Sequence, residues 1–333
     1  MLQGEWEMEK FEACIRLRQL LVEEKPRKLL DKLLSSGKIR IKPVFTPGVG
    51  FRYREAEEAT GLGPEEAEKL LDELHQLGIM KKILHDKTVF CPDCGSPEVS
   101  VHFNCPSCRS MNTSKLSLIE DMACGYIDKE DQFKADGKMV CPHCGRQLLR
   151  PGVDFRRVGI WYVCDDCGHE FDVPLITFTC RSCGRQFTTE EARYEPVFSY
   201  ELDESVRDVA LITKSILGSL TGLLRSRGFV VESPGIVNGR SGEKHMFDLI
   251  AKGGSGRTMA VEVYISDNPL PERVVTTTFA KFYDTTFSDA FLIAIPRMRD
   301  EGRRLATLYR IHLIEGVNRD QILRAFRAAA GLS

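Results

Sequence analysis

Twelve cysteines are spread very unevenly over these 333 residues. Ten form five C-x-x-C pairs, Cys91/Cys94, Cys105/Cys108, Cys141/Cys144, Cys164/Cys167 and Cys180/Cys183, and Cys124 lies among them. Four pairs are followed by glycine, in CPDCG, CPHCG, CDDCG and CRSCG. Two cysteines three apart in a tight turn place both thiolates on one ion. Glycine lets the backbone turn back with its N–H groups toward the sulfurs. Two such knuckles complete a closed tetrahedral sulfur shell, which suits Zn²⁺ in a structural role. An iron–sulfur cluster is the other use of four cysteines, but knuckles with Pro or Gly in the turn favour zinc. All eleven clustered cysteines are expected ligands. They fill two sites and leave one pair with Cys124. A twelfth ligand from Asp121, His102, His143 or His169 would complete a third, so two or three zinc ions are expected. Spacing leaves the pairing open: Cys91/Cys94 with Cys105/Cys108, and Cys164/Cys167 with either Cys141/Cys144 or Cys180/Cys183. Cys14 stands apart and reads as a buried residue of the first helix.

A chain of this length has no need of a disulfide framework. Its start (MLQGEWEMEK) is acidic and lacks the apolar run of a secretory signal. No stretch approaches 18 consecutive apolar residues, so no membrane partner is expected. A reducing, cytoplasmic setting follows. The chain has 46 Lys+Arg against 48 Asp+Glu, a net charge of -2, which excludes a uniformly basic nucleic-acid coat but not local basic patches. The composition fits a multidomain α+β protein. Three modules are expected, 1–89, 90–195 and 203–333, with turn-rich Glu195–Glu204 as the main boundary.

In the first module, Glu9–Glu23 and Pro26–Leu34 have helical periodicity. Phe51–Thr60, the turn Gly61-Leu62-Gly63 and Pro64–Leu77 read as helix, turn, helix, stopped by Gly78. Ile79–Leu84 and Thr88–Phe90 read as a hairpin around His85-Asp86. That order is a winged helix-turn-helix. Its second helix is acidic (Glu65, Glu66, Glu68, Asp72, Glu73), so phosphate contacts fall to Lys81, Lys82 and Lys87 of the wing and to Arg27 and Lys28 before it. A protein partner for this face is an equal alternative. In the third module a helix over Val206–Ser226 precedes strands Phe229–Glu232, Phe247–Lys252 and Met259–Tyr264. A helix over Val274–Tyr283, the apolar strand Ala290–Ile295, a helix, the strand His312–Glu315 and a last helix follow. Apolar strands between helices imply an α/β sheet covered on its faces. Asp248 and Glu262 fall on neighbouring strands joined through Gly253–Gly256.

The runs CPSC, ACGY, VCPHCGRQL, GVDF, YVCDDCGHEF and CRSCGRQF, over about residues 90–192, resemble the zinc-binding thaumarchaeal output domain of archaeal proteins. The resemblance implies a zinc-ribbon module used in regulation, with no chemical activity. Glu120 and Asp121 stand where that family has a histidine before the CGY cysteine. The third module resembles archaeal restriction-endonuclease-like, or PD-(D/E)xK, domains in GIVNGRSGEKHMFDLIA, AVEVY, AKFYDTTFSDAFLIAIP and ATLYRIHLIEG. In active members two carboxylates hold Mg²⁺; here they match Asp248 and Glu262. Tyr264 replaces the motif lysine, and Lys281 on the next helix stands where some members relocate it. The expected function is a zinc-binding regulatory or nucleic-acid-associated protein with a non-catalytic nuclease-like domain. An active Mg²⁺-dependent nuclease using Asp248, Glu262 and Lys281, and a zinc-ribbon adaptor for protein partners in transcription or translation, are the alternatives.

Overall fold

Apolar residues at helical spacing produce eight α-helices among the described residues of the computed structural model, which are residues 9–135, 137–254 and 256–332. They are α1 (Glu9–Leu20), α2 (Glu24–Ser36), α3 (Arg54–Thr60), α4 (Pro64–Gln76), α5 (Glu204–Ser226), α6 (Arg273–Asp284), α7 (Asp300–Leu308) and α8 (Arg319–Ala330). The chain divides into two compact units, and not consecutively. One unit takes the chain up to Val44, Phe51–His85 and everything from Phe198; the other takes Phe45–Gly50 and Asp86–Val197.

All eight helices belong to the first unit. Its main sheet runs in the order Val230–Glu232, Leu249–Lys252, Thr258–Ile265, Asp289–Ile295, His312–Glu315. The first three strands are antiparallel and the last three parallel. Thr258–Ile265 and Asp289–Ile295 are buried almost throughout, as an apolar run covered on both faces requires. α1 packs on α5 and on Thr258–Ile265, and Phe11, Cys14 and Leu17 join the same core as the sheet. Cys14 is thus a buried helix residue. α5 starts at Asp203, whose carboxylate accepts from the Ser205 and Val206 N–H groups at 2.9 and 3.4 Å, satisfying donors that the first helical turn leaves free.

A second, three-stranded sheet differs from the expectation. Met80–Phe90 is one continuous strand rather than a hairpin about His85-Asp86. Its neighbour is Arg193–Leu202, which also pairs with Arg40–Ile41 through Ile41↔Tyr200. The stretch read as a turn-rich boundary is therefore a strand. Val197, Ser199, Tyr200 and Leu202 are buried along it, and Glu195 and Glu201 are accommodated without breaking the extended backbone. Phe51 likewise belongs to a short strand, Gly50–Arg52, ahead of α3. On α5, Val209, Ile216, Leu220 and Leu223 face the core while Ile212 is exposed.

The second unit is built of strands. Thr113–Asp121 lies between Phe155–Cys164 and Ile127–Lys129, and Leu175–Cys180 lies between Val99–Asn104 and Gln186–Thr188. Replacing Asp203 by alanine should lower the urea-unfolding free energy by about 1 kcal/mol, the usual cost of losing such a cap; an unchanged unfolding curve would show that the cap contributes nothing.

Candidate metal centres and a buried acidic centre

The second unit gathers three groups of four ligand residues, each able to hold a metal ion: Cys91, Cys94, Cys180 and Cys183; Cys105, Cys108, Cys164 and Cys167; and Asp121, Cys124, Cys141 and Cys144. Within each group the ligand atoms all lie within 4.8 Å of one another. Six knuckles supply them, and all six share one hydrogen-bond pattern. The first ligand's N–H donates to the carbonyl five residues on, as from Cys91 to Ser96 (2.9 Å), and its carbonyl accepts from the N–H four residues on, as from Gly95 (3.0 Å). That fourth residue has positive φ. It is glycine in five knuckles and Arg109 in the sixth, at φ 63°, a conformation costing a residue with a Cβ about 1–2 kcal/mol.

Asp121-Met122-Ala123-Cys124-Gly125 is one of these knuckles, with aspartate in the first cysteine's place. Asp121 N–H donates to Tyr126 O at 2.9 Å and Gly125 N–H to Asp121 O at 2.8 Å. Of the four candidates for a twelfth ligand, the fold brings in Asp121. Burial works against its charge. The Ala123 N–H at 2.8 Å and the Cys144 thiol at 3.2 Å nevertheless hold its carboxyl well below the ordinary range. At Cys105 and Cys180 burial also opposes the charged form, but backbone N–H groups of Cys108 and Ser107, and of Cys183 and Ser182, bring the thiols down to about 7.

The grouping is nested rather than sequential. None of the pairings weighed from spacing occurs. Val99–Asn104 pairs with Leu175–Cys180, register Val99↔Cys180, which brings the first knuckle to the last. Cys91 Sγ lies 3.7 Å from Cys183 Sγ and Cys94 Sγ 3.6 Å from Cys180 Sγ. Thr113–Asp121 pairs with Phe155–Cys164, register Thr113↔Cys164, which brings Cys108 Sγ to 3.5 Å from Cys164 Sγ. Long-range strand pairing overrides the nearest-neighbour order.

The first unit holds a different cluster. Asp248 immediately precedes the strand Leu249–Lys252, and Leu249 pairs with Val261, so Asp248 and Glu262 lie side by side. Asp248 is 4%, Glu262 0% and Arg18 8% exposed. Arg18, from α1, bridges the two carboxylates: one guanidinium nitrogen donates to Asp248 and the other to Glu262 at 2.6 Å. The first also donates to Val263 O at 3.1 Å. Lys281 of α6 donates to the same Glu262 oxygen at 2.6 Å, and Thr278, one turn earlier, donates to the other at 2.6 Å. Val263 N–H donates to Asp248 at 2.6 Å. Tyr264, two residues beyond Glu262 and so on the same face of the strand, lays its ring 4.4 Å from the Arg18 guanidinium carbon. Tyr264 thus helps hold a cation supplied by α1.

Burial and the neighbouring Glu262 push Asp248 upward, against the pull of Arg18. Burial opposes the Glu262 charge as well, but Arg18 and Lys281 together hold that carboxyl below its ordinary range. Arg18 stays charged because the two carboxylates outweigh its own burial.

Arg18 is the site residue absent from the sequence expectations. Its signal is local: it follows Phe11 and Cys14 at helical spacing on α1's apolar stripe, and a charge on such a stripe needs a buried partner. Asp248, Glu262 and Lys281, by contrast, converge. Ser241 and His245 bond Asp284 rather than Asp248, His245 Nε2 at 2.6 Å, and with Ser241 first in effect they draw that carboxyl down to about 2.

The family model of thaumarchaeal output domain 1 matches residues 18–202, more than half of the chain. The chain belongs to that family. The thaumarchaeal output domain match reaches well beyond residues 90–192, where the sequence resemblance lies. It ends with the last residue of the strand Arg193–Leu202 and takes in all three ligand groups. No curated protein matches the chain significantly.

Solved structures to which the chain is similar include the following. A protein of unknown function is 19% identical, with 37% of this chain and 68% of that one covered and a TM-score of 0.28. EndoMS in complex with double-stranded DNA is 12% identical, with 65% and 95% covered and a TM-score of 0.23. A repair endonuclease from Pyrococcus abyssi is 11% identical, with 77% and 96% covered and a TM-score of 0.23. At these scores none of the three defines a shared overall fold.

Outside the family's ligand groups, the basic residues singled out for phosphate contact are mostly engaged. Lys82 pairs with Asp72 at 2.7 Å and lies 4.6 Å from the Phe198 ring centroid. Lys81 pairs with Asp203 at 3.0 Å, and Lys28 with Glu24 at 2.6 Å within α2. Arg27 lines a cavity beside α5. Lys87, in the other unit, is exposed. No helix of the described residues is long and apolar enough to cross a membrane.

Arg18→Ala should destabilise the first unit by about 3–5 kcal/mol, the cost of leaving buried charges unpaired. Adding Asp248→Asn and Glu262→Gln should recover part of it. Denaturant titration of the three proteins checks this; a single variant as stable as wild type would show that the bridge is not needed.

Proposed function

We propose that this thaumarchaeal output domain protein is a zinc-binding regulatory protein associated with nucleic acid, whose nuclease-like α/β domain is non-catalytic in the conformation described. One observation carries the reading: the Arg18 guanidinium fills the place between Asp248 and Glu262 where a nuclease would hold its cation. An Mg²⁺ ion does not fit this centre. Both carboxylates are already spent on Arg18, Lys281 and Thr278, and octahedral coordination at about 2.0–2.1 Å would require Arg18 to leave. No hydrolytic step is therefore assigned to Asp248, Glu262 or Lys281, although their convergence keeps the active-nuclease alternative testable.

For the second unit, the donor chemistry favours zinc. A tetrahedral sulfur shell with bonds of about 2.3 Å has edges of about 3.8 Å, and the cross-knuckle sulfur distances run from 3.5 to 3.7 Å. Two groups are Cys₄ and the third is Asp-Cys₃; zinc accepts both. Four protein ligands leave no open position, so the ions are structural. The cysteines proposed as ligands are the eleven expected from sequence, and Asp121 joins them.

The helices α2, α3 and α4 with the sheet order Arg40–Ile41, Arg193–Leu202, Met80–Phe90 support a winged helix. The metal-binding residues would lie in sequence between its two wing strands. The adaptor reading draws on a specific feature as well. The strand Phe155–Cys164 exposes Val158, Ile160 and Trp161, an apolar run that suits a protein partner.

Zinc-loaded protein should carry three ions per chain by elemental analysis, one for each ligand group, and should leave labelled DNA and RNA intact with Mg²⁺ or Mn²⁺. Iron in place of zinc would overturn the zinc assignment. Robust cleavage abolished by Asp248→Asn would overturn the non-catalytic reading.

A further inference from the structure

Among α1, α2 and α5 lies a cavity of about 400 Å³, within the range of about 300–1,000 Å³ usual for small-molecule sites. Its walls are mainly aliphatic, Leu17 of α1, Leu21 just beyond it, Leu30 and Leu34 of α2, Leu217 of α5, and Val231, with Thr213, Thr221 and Ser233 among them. No aromatic ring lines it, so it offers nothing for a flat ring to stack on. Its charged groups are three cations, Arg27, Lys214 and Arg225, against one acid, Asp31. Apolar walls with a net positive rim match an aliphatic chain ending in an anion.

Gly218 lies inside α5 and lines the cavity. A Cβ there would meet nothing within 4 Å, as at Gly222 of the same helix outside the cavity, so the position can take a larger side chain that occupies this space.

We propose that the cavity binds a linear amphiphilic monoanion, a fatty carboxylate. The aliphatic tail lies along the leucines from α1, α2 and α5, and the carboxylate meets Arg27 and Lys214. The site is separate from the acidic centre, although α1 contributes to both: Leu17 lies beside Arg18 in sequence.

The test is isothermal titration of full-length, zinc-loaded protein with dodecanoate below its micelle concentration. Wild type should bind one dodecanoate per chain saturably. Gly218→Leu fills the cavity with a better helix former and should weaken binding at least about tenfold, as should Arg27→Glu combined with Lys214→Glu. Should Gly218→Leu fail to fold, Thr213→Trp, five residues earlier on the cavity wall, serves the same purpose. Dodecyltrimethylammonium, with the same tail and the opposite charge, should not bind. Absence of saturable binding to wild type would overturn the proposal, as would a folded cavity-filling variant that binds like wild type. Equal binding of the cationic amphiphile would overturn the anion assignment.

Discussion

Arg18 joins two ends of the chain that sequence keeps 230 residues from its partner Asp248. Where the first helix lies on the C-terminal sheet, its buried guanidinium meets two buried carboxylates, a carbonyl and an aromatic face. None of these charges could be buried alone; each would cost several kcal/mol unpaired. The network is therefore an all-or-none contact. It fixes α1 against Thr258–Ile265, and α1 in turn supplies Phe11, Cys14 and Leu17 to the core shared with α5 and the sheet. The same contact places the Arg18 guanidinium in the acidic centre, which is the ground of the non-catalytic proposal.

The second unit is organised by a different constraint. Its apolar clusters are small, and each contains a ligand cysteine: Cys141 with Ile119, Phe133, Leu148 and Phe155; Cys91 and Cys180 with Phe178 and Phe187; Cys105 and Cys164 with Phe171. Cores of this size stabilise little by themselves. A metal shell tying two knuckles from distant strands would contribute what the apolar packing does not, and would couple folding to metal binding. In every ligand group the first residue of each knuckle is buried and the second exposed, which places the sulfurs between the small core and the solvent.

What could be read from the sequence followed from locality. The cysteine knuckles were legible because both ligands and the turn between them fit within five residues. The D-x-x-C-G run at Asp121 has the same spacing and marks its own ligand. The strands and helices of the C-terminal α/β region were legible because long apolar runs between helical patterns leave little choice. The knuckle pairing was not legible, since it depends on Val99–Asn104 finding Leu175–Cys180. The strand Arg193–Leu202 was missed for the same reason: its partners Met80–Phe90 and Arg40–Ile41 lie more than a hundred residues back. Asp248, Glu262 and Lys281 were recognisable from a family pattern. Arg18 shows in the sequence only as a charge on an apolar helix stripe; no local rule names the distant carboxylates that accept it.

The occupancy of the acidic centre by a side chain rather than a metal is the claim on which the functional reading rests. A crystal structure of the zinc-loaded protein grown with excess Mn²⁺, with anomalous data collected at the manganese edge, tests it directly. The account predicts zinc signals at the cysteine groups, the Arg18 guanidinium between Asp248 and Glu262, and no manganese peak between those carboxylates. A manganese ion bound there, with Arg18 displaced, would contradict it.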